Sequence, residues 1–201
     1  MYPKNLRDII ELLQKLLPGV GQRQARRYTF SLLQKDSEGV TRLGKLLVSL
    51  HESVKPCVQC FRLIEQEKRL CDICSNPKRN QQIITVVEKQ SDIEAIEKVG
   101  QFHGTYHVIN GLIPFFEKEF PSSRLHIDEL YKRIENKNVK EVILALSTTP
   151  EGEATSLYIS KILSPAKIKI TKLGQGLSGG SEIEYADPET LRASLENRRD
   201  L

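Results

Sequence analysis

The sequence predicts an α/β protein with an N-terminal helical part, and three observations carry that reading. Residues 1–50 place apolar side chains at helical steps, all four cysteines fall within residues 55–78, and from residue 82 short apolar runs alternate with helical patterns. Strand–helix alternation of this kind builds a mostly parallel sheet covered by helices. A length of 201 residues fits one large domain or two small ones. Hydrophobic content of 39% beside 28% charged residues is that of a water-soluble globular chain. No apolar run approaches the ~20 residues of a membrane helix. The opening MYPKNLRDIIELL lacks the order of a signal peptide, so a cytoplasmic location without membrane partners is expected.

In the first part, Ile9, Ile10, Leu12, Leu13, Leu16 and Leu17 predict a helix that Pro18 and Gly19 break. A second helix is expected over about 22–35, with Ala25, Tyr28, Leu32 and Leu33 facing a core, and a third over about 40–51. The later runs IITVV (83–87), YHVIN (106–110), VILAL (142–146) and IKITKL (168–173) read as strands, and continuous apolar runs suit burial on both faces. Ser91 with Glu94 is expected to form a capping box, and Gly100 to stop that helix. Thr149 before Pro150 and Asp187 before Pro188 mark two further helix starts. Residues 111–125, rich in Phe and Pro, read as a lid-like loop or a contact surface.

The first candidate site is the turn in LLPGVGQRQARRYTFSLL (16–33). Helix, Pro-Gly-Val-Gly, helix has the form of a helix–hairpin–helix element. Gly19 and Gly21 are expected to turn with positive φ and expose backbone N–H groups, with Val20 anchoring the turn. Those donors, at a helix start, can grip a phosphate. Arg23 and Arg27 share one helix face and Arg26 lies beside them. Residues 1–35 hold Lys4, Arg7, Lys15, Arg23, Arg26, Arg27 and Lys35 against only Asp8 and Glu11, which suits a polyanion partner. A solvated helix face is the alternative explanation of the charge.

The second candidate is a metal centre. Cys57 and Cys60 enclose two residues, as do Cys71 and Cys74, with ten residues between the pairs. Two such turns complete a tetrahedron around Zn²⁺, and four thiolates leave no position open for a substrate, so the metal would be structural. Lys68, Arg69, Lys78 and Arg79 surround the cysteines and leave open whether this module also meets DNA. Gly174, Gly176 and Gly179 satisfy G-x-G-x-x-G, but a dinucleotide site needs a helix directly afterwards, and IEYA reads as strand or extended tail. No P-loop occurs, and His51, His103, His107 and His126 pair with no nucleophile pattern.

The third candidate is the turn after VILAL. EVILALSTTPEGEATSLYI resembles the core of a Toprim domain, in whose metal-dependent members a D-x-D pair precedes E-G-E. Here the aspartate positions hold Ser147 and Thr149, while Glu88 matches the family's lone glutamate. Mg²⁺ seeks carboxylate oxygens, so the resemblance implies the form of the site without its chemistry. Glu151 and Glu153 at a helix start are also explained by the helix dipole alone. A metal-dependent Toprim nuclease or topoisomerase-like enzyme, using Glu88 and Glu151, is the competing expectation.

The order of parts is similar to that of the RecR family of bacterial recombination mediators. It comprises a helix–hairpin–helix, a four-cysteine zinc module, a degenerate Toprim core and the tail GLSGGSEIEYADPETLRASL. The resemblance implies a helical DNA-binding region over 1–54, a zinc module over 55–78, a Toprim domain over 79–173 and a tail making subunit contacts over 174–201. It further implies a homo-oligomeric ring or clamp, commonly a tetramer built from dimers. That ring would bind double-stranded and gapped DNA and act with RecO or RecF to help load RecA, without enzymatic activity. Gly19, Gly21, Arg23, Arg26 and Arg27 would then contact DNA, and Glu88 and Glu151 a protein partner.

Overall fold

The computed structural model describes residues 2–114, 125–135 and 138–198, so the segment 115–124 of the expected lid or contact surface lies outside the described residues. The chain divides into two compact units, Met1–Val54 and Lys55–Leu201.

The first unit is helical: α1 (Lys4–Leu16), α2 (Gln22–Leu33) and α3 (Ser37–Ser53). α1 and α2 pack together, burying Ile10 of α1 and Ala25 and Thr29 of α2. Asp36 caps α3, its carboxylate accepting from Gly39 N–H at 2.6 Å. No residue of α3 is buried, and Leu43, Leu46, Leu47 and Leu50 stand exposed along it. Tyr28 departs from the expected core position, being 39% exposed. Ala25 and Thr29, four residues apart, occupy the buried stripe, and Tyr28 lies one residue off it.

At the boundary with the second unit stands a small sheet, β1 (Val54–Pro56) paired with β2 (Leu63–Glu65), followed by a single-turn helix, α4 (Asp72–Ser75). A parallel sheet follows, in the order β4-β3-β5-β6, from β3 (Ile83–Val87), β4 (Thr105–Val108), β5 (Glu141–Ala145) and β6 (Lys169–Lys172). β3 aligns Val87 with Val108 on one side and Ala145 on the other. The connections carry α5 (Gln90–Val99), α6 (Ile127–Glu135) and α7 (Pro150–Leu163), and α8 (Pro188–Glu196) ends the described chain. Alternation along the strands sends side chains to two cores. Ile84, Val86, Val142 and Leu144 pack with Leu130 and Ile134 of α6 and Ile159 and Leu163 of α7. Val87, Tyr106 and Val108 pack with Ile93 of α5 and all four cysteines.

The expected capping box at Ser91 and Glu94 is not the one formed. α5 begins two residues earlier, and the Asp92 carboxylate reaches back to Lys89 N–H at 3.0 Å, which places Ser91 inside the helix. Gly100 stops α5 with a φ of 71°, as expected. Thr149 and Asp187 cap α7 and α8 through their side chains. IEYA is neither strand nor extended: Ile183–Tyr185 form one 3-10 turn leading to the Asp187 cap.

Candidate nucleic-acid interface and metal centre

The hairpin turn forms because α1 ends at Leu17 in an extended conformation and Gly19 takes a φ of 76°, a region L side chains rarely enter. Val20 N–H closes the turn on Leu17 O at 3.3 Å, and its side chain is half-buried. Gly21 differs from the expectation, since its φ of −76° and ψ of 171° are ordinary extended backbone. A Cβ added there would meet nothing within 4 Å. The bareness of Gly21 therefore serves no fold requirement; it leaves open space at the start of α2.

That start carries unanswered positive charge. The first turn of α2 has no acidic residue and no side-chain cap. Gln24 Oε1 accepts from Gly21 N–H at 3.4 Å, half of a capping box, since glycine cannot return the bond. Arg23, Arg26 and Arg27 are exposed. Arg26 lies 6.0 Å over the Tyr2 ring and Arg27 5.4 Å over the Tyr28 ring, contacts that orient a guanidinium without cancelling its charge. Among the described residues, none of the three forms an ion pair.

The four cysteines converge as their spacing predicts. All are free and buried, and their sulfurs lie within 4.8 Å of one another. Tetrahedral Zn–S bonds of ~2.3 Å would separate sulfurs by about 3.8 Å, so this cluster needs little adjustment to take the ion. Cys71 N–H points at Cys57 Sγ and Cys74 N–H at Cys71 Sγ, each at 3.4 Å, a donor arrangement that favours thiolates. The crowded sulfurs act on one another, holding the Cys57 thiol below its ordinary range and pushing Cys74 above it. The donor set fits a metal ion. When bound, that ion would supply cross-linking of the two knuckles and no reaction chemistry. Phe61, with a φ of 63°, turns the first knuckle, and its ring stacks on His126 at 3.9 Å. Of the cations around the module, Lys68 pairs with Glu65 and Arg79 with Glu97, so two of the four are engaged within the protein.

At the carboxyl ends of the strands, Glu88 follows β3 and accepts from Ser147 Oγ, after β5, at 3.1 Å. The position expected to hold a metal-binding aspartate thus gives a hydroxyl donor to the lone glutamate. Thr149, the second such position, accepts from Gly152 N–H at 3.2 Å to cap α7. Glu153 is paired with Lys172 at the end of β6. Glu151 is half-buried in the same first turn. Of the three carboxylates at this end of the sheet, Glu88 and Glu153 are therefore bonded to protein groups.

Three family models match the chain: "RecR, helix-hairpin-helix" over residues 6–51, "Toprim domain" over 82–174, and "RecR, C-terminal" over 177–199. Relatives named "Recombination protein RecR" match it end to end. The protein from Lactobacillus acidophilus is 42% identical over 201 residues, covering 100% of this chain and 99% of its own. Those from Lactobacillus helveticus, at 41%, and Acidothermus cellulolyticus, at 40%, match with the same coverage. The chain belongs to the RecR family.

Within this RecR-family chain, the matched segments contain the α1–α2 turn and the Glu88–Ser147 end of the sheet. Two residues escaped the sequence reading. Lys172 reaches Glu153 only because β6 lies beside β5, a pairing no local pattern announces. Arg133 sits buried on the apolar face of α6, beside Leu130 and Ile134. A charge inside an apolar helical stripe is a signal, and the sequence carried it. No described helix is long and apolar enough to cross a membrane.

Proposed function

We propose that this protein is a DNA-binding mediator of recombination in DNA repair that grips the sugar-phosphate backbone with Gly19, Gly21, Arg23, Arg26 and Arg27. The observation that carries the reading is the start of α2, where a first turn without a side-chain cap, open space at Gly21 and three exposed arginines without ion pairs coincide. Such contacts position a protein on duplex or gapped DNA and carry little sequence information. The curated relatives bear the name of a recombination protein, in agreement with that role. The cysteine centre holds Zn²⁺ as a structural ion, since four thiolates suit its tetrahedral preference.

The proposal extends to assembly and partners. Leu43, Leu46, Leu47 and Leu50 of α3 are exposed, as are Leu12 and Leu16 of α1, and exposed apolar patches mark association surfaces. A second copy of the chain covers them, as the first step to a tetrameric ring built from dimers. The ring multiplies weak phosphate contacts through effective concentration. Glu88 and Glu151 offer an acidic surface to RecO or RecF, and the assembly serves RecA loading at single-stranded gaps in the cytoplasm. The protein acts without catalysis. The tying of Glu88 to Ser147 and of Glu153 to Lys172 supports this over a Mg²⁺-dependent nuclease.

Fluorescence anisotropy on gapped and duplex DNA across a salt series tests the central claim. Affinity falls with a log–log slope near −0.9 per phosphate engaged on duplex. A flat salt response removes the electrostatic grip. Incubation with supercoiled DNA and Mg²⁺ leaves the substrate intact; cleavage abolished in E88Q overturns the non-enzymatic reading.

A further inference from the structure

α6 carries a cation into the interior. Arg133 is only 7% exposed. Its Nη1 donates to Tyr106 O at 2.6 Å and to Gln59 O at 3.2 Å, and its Nη2 to Thr105 Oγ1 at 2.8 Å, while Nε is buried without a partner. Every acceptor is neutral, and among the described residues no carboxylate pairs with it. A buried charge without a counter-charge is strongly unfavourable. Burial pulls this guanidinium below its ordinary range.

The cysteine centre has the converse problem. Four thiolates around one divalent ion leave a net charge of −2 in a buried site, which the metal itself cannot remove. Gln59, whose carbonyl accepts from Arg133, lies inside the first knuckle between Cys57 and Cys60. The same guanidinium also bonds Thr105 and Tyr106 of β4, an edge strand of the parallel sheet. The neighbouring Val108 N–H donates to Cys60 O at 2.8 Å, so the knuckle also covers the free edge of that strand.

We infer that Arg133 is the internal counter-ion of the cysteine centre, so that metal occupancy and the docking of α6 and β4 onto the knuckles are one electrostatic unit. The inference rests on the metal reading above. With metal bound, the guanidinium offsets the excess negative charge of the tetrathiolate. Without metal, the cross-link that fixes the first knuckle beside Arg133 is lost, and the docking of this face weakens. The metal therefore reports to the parallel sheet through a side chain that is not a ligand.

The test uses the full-length protein, Arg133→Met, which keeps an apolar stem, and Arg133→Lys, which keeps the charge. Zn²⁺ affinity is measured by competition with a chromophoric chelator. The wild type holds one Zn²⁺ per chain, R133M binds at least about tenfold more weakly, and R133K stays within about threefold of wild type. Equal affinity of R133M and wild type, or R133K as weak as R133M, overturns the charge role and leaves only a hydrogen-bonding anchor. A wild type that holds no Zn²⁺ overturns the metal reading itself, a distinct outcome. Urea denaturation with and without chelator supplies the second readout: R133M destabilises the loaded protein more than the stripped one. Equal destabilisation in both states overturns the coupling. If the methionine variant does not fold, the lysine variant decides alone, since its tenfold loss of Zn²⁺ affinity contradicts a role for charge.

Discussion

Two helix starts in this chain have opposite characters. α2 begins after an extended glycine, has no acidic residue in its first turn and no side-chain cap, and is surrounded by unpaired arginines. α7 begins after Thr149, which caps it, carries Glu151 and Glu153 in its first turn, and has Lys172 on Glu153. Each helix start presents the same partial positive charge. At α7 the protein supplies the answering groups itself; at α2 it withholds them. An anion-binding site is recognised here less by what is present than by what the fold leaves unanswered.

The largest expected effect tests how tightly the α7 start is closed. A Cβ on Gly152 would lie 1.9 Å from Ser147 O, a backbone atom with no freedom to yield. Gly152→Ala should cost at least ~2–3 kcal/mol through overpacking. At roughly 2–4 °C per kcal/mol for a chain of this size, calorimetry should show the midpoint falling by about 5–10 °C. An unchanged midpoint would mean that the turn of residues 147–149 is looser than described and that its resemblance to the α2 start is closer.

The next effect concerns DNA. Reversing Arg23 and Arg27 to glutamate should lower affinity by tenfold or more, alike on all sequences, and reduce the salt slope by about 2, one per lost phosphate contact. Lys172→Ala, at the other helix start, should leave DNA affinity unchanged in the same anisotropy assay. A loss with K172A equal to that with the arginine reversals would erase the distinction between the two ends. A loss confined to certain sequences would contradict backbone contact.

How far the sequence disclosed these two ends follows from which interactions are local. The caps at Thr149 and Asp187, the stop at Gly100 and the cysteine pairs were legible because each depends on residues a few positions apart. So was the parallel sheet, since continuous apolar runs separated by helices have few other solutions. Gly21 was misjudged because a glycine is equally at home in extended backbone. Tyr28 lies one step off the buried stripe and the start of α5 two residues before the expected one, the scale at which helix phase and boundaries are least determined by pattern. The partners of Lys172 and Arg133 lie across strands and helices, at separations where no spacing rule operates, although the place of Arg133 on the apolar stripe of α6 is itself local.

A smaller effect compares caps directly. Thr149→Ala removes the acceptor for Gly152 N–H and should cost about 1 kcal/mol, measured as a shift of the urea midpoint with an unchanged slope. Gly21→Ala, with open space around its Cβ and an ordinary φ, should move the same midpoint by less than ~0.5 kcal/mol. A cost for G21A equal to that for T149A would show that Gly21 is needed by the fold, and the open space at the α2 start would lose its functional meaning.

The smallest change in stability gives the sharpest test. Gly21→Asp gives α2 the cap and the negative charge that α7 already has. The carboxylate would accept from the first-turn N–H groups and stabilise the helix by a few tenths of a kcal/mol. It would also occupy the donors proposed for phosphate and oppose the phosphate charge, a repulsion of ~1 kcal/mol in water at 4 Å, or about fivefold in affinity. Stability and DNA binding should therefore move in opposite directions in one variant, measured by urea titration and anisotropy on the same preparation. If G21D binds DNA as the wild type does, the backbone donors at the start of α2 do not hold the phosphate, and the arginines alone must account for the grip.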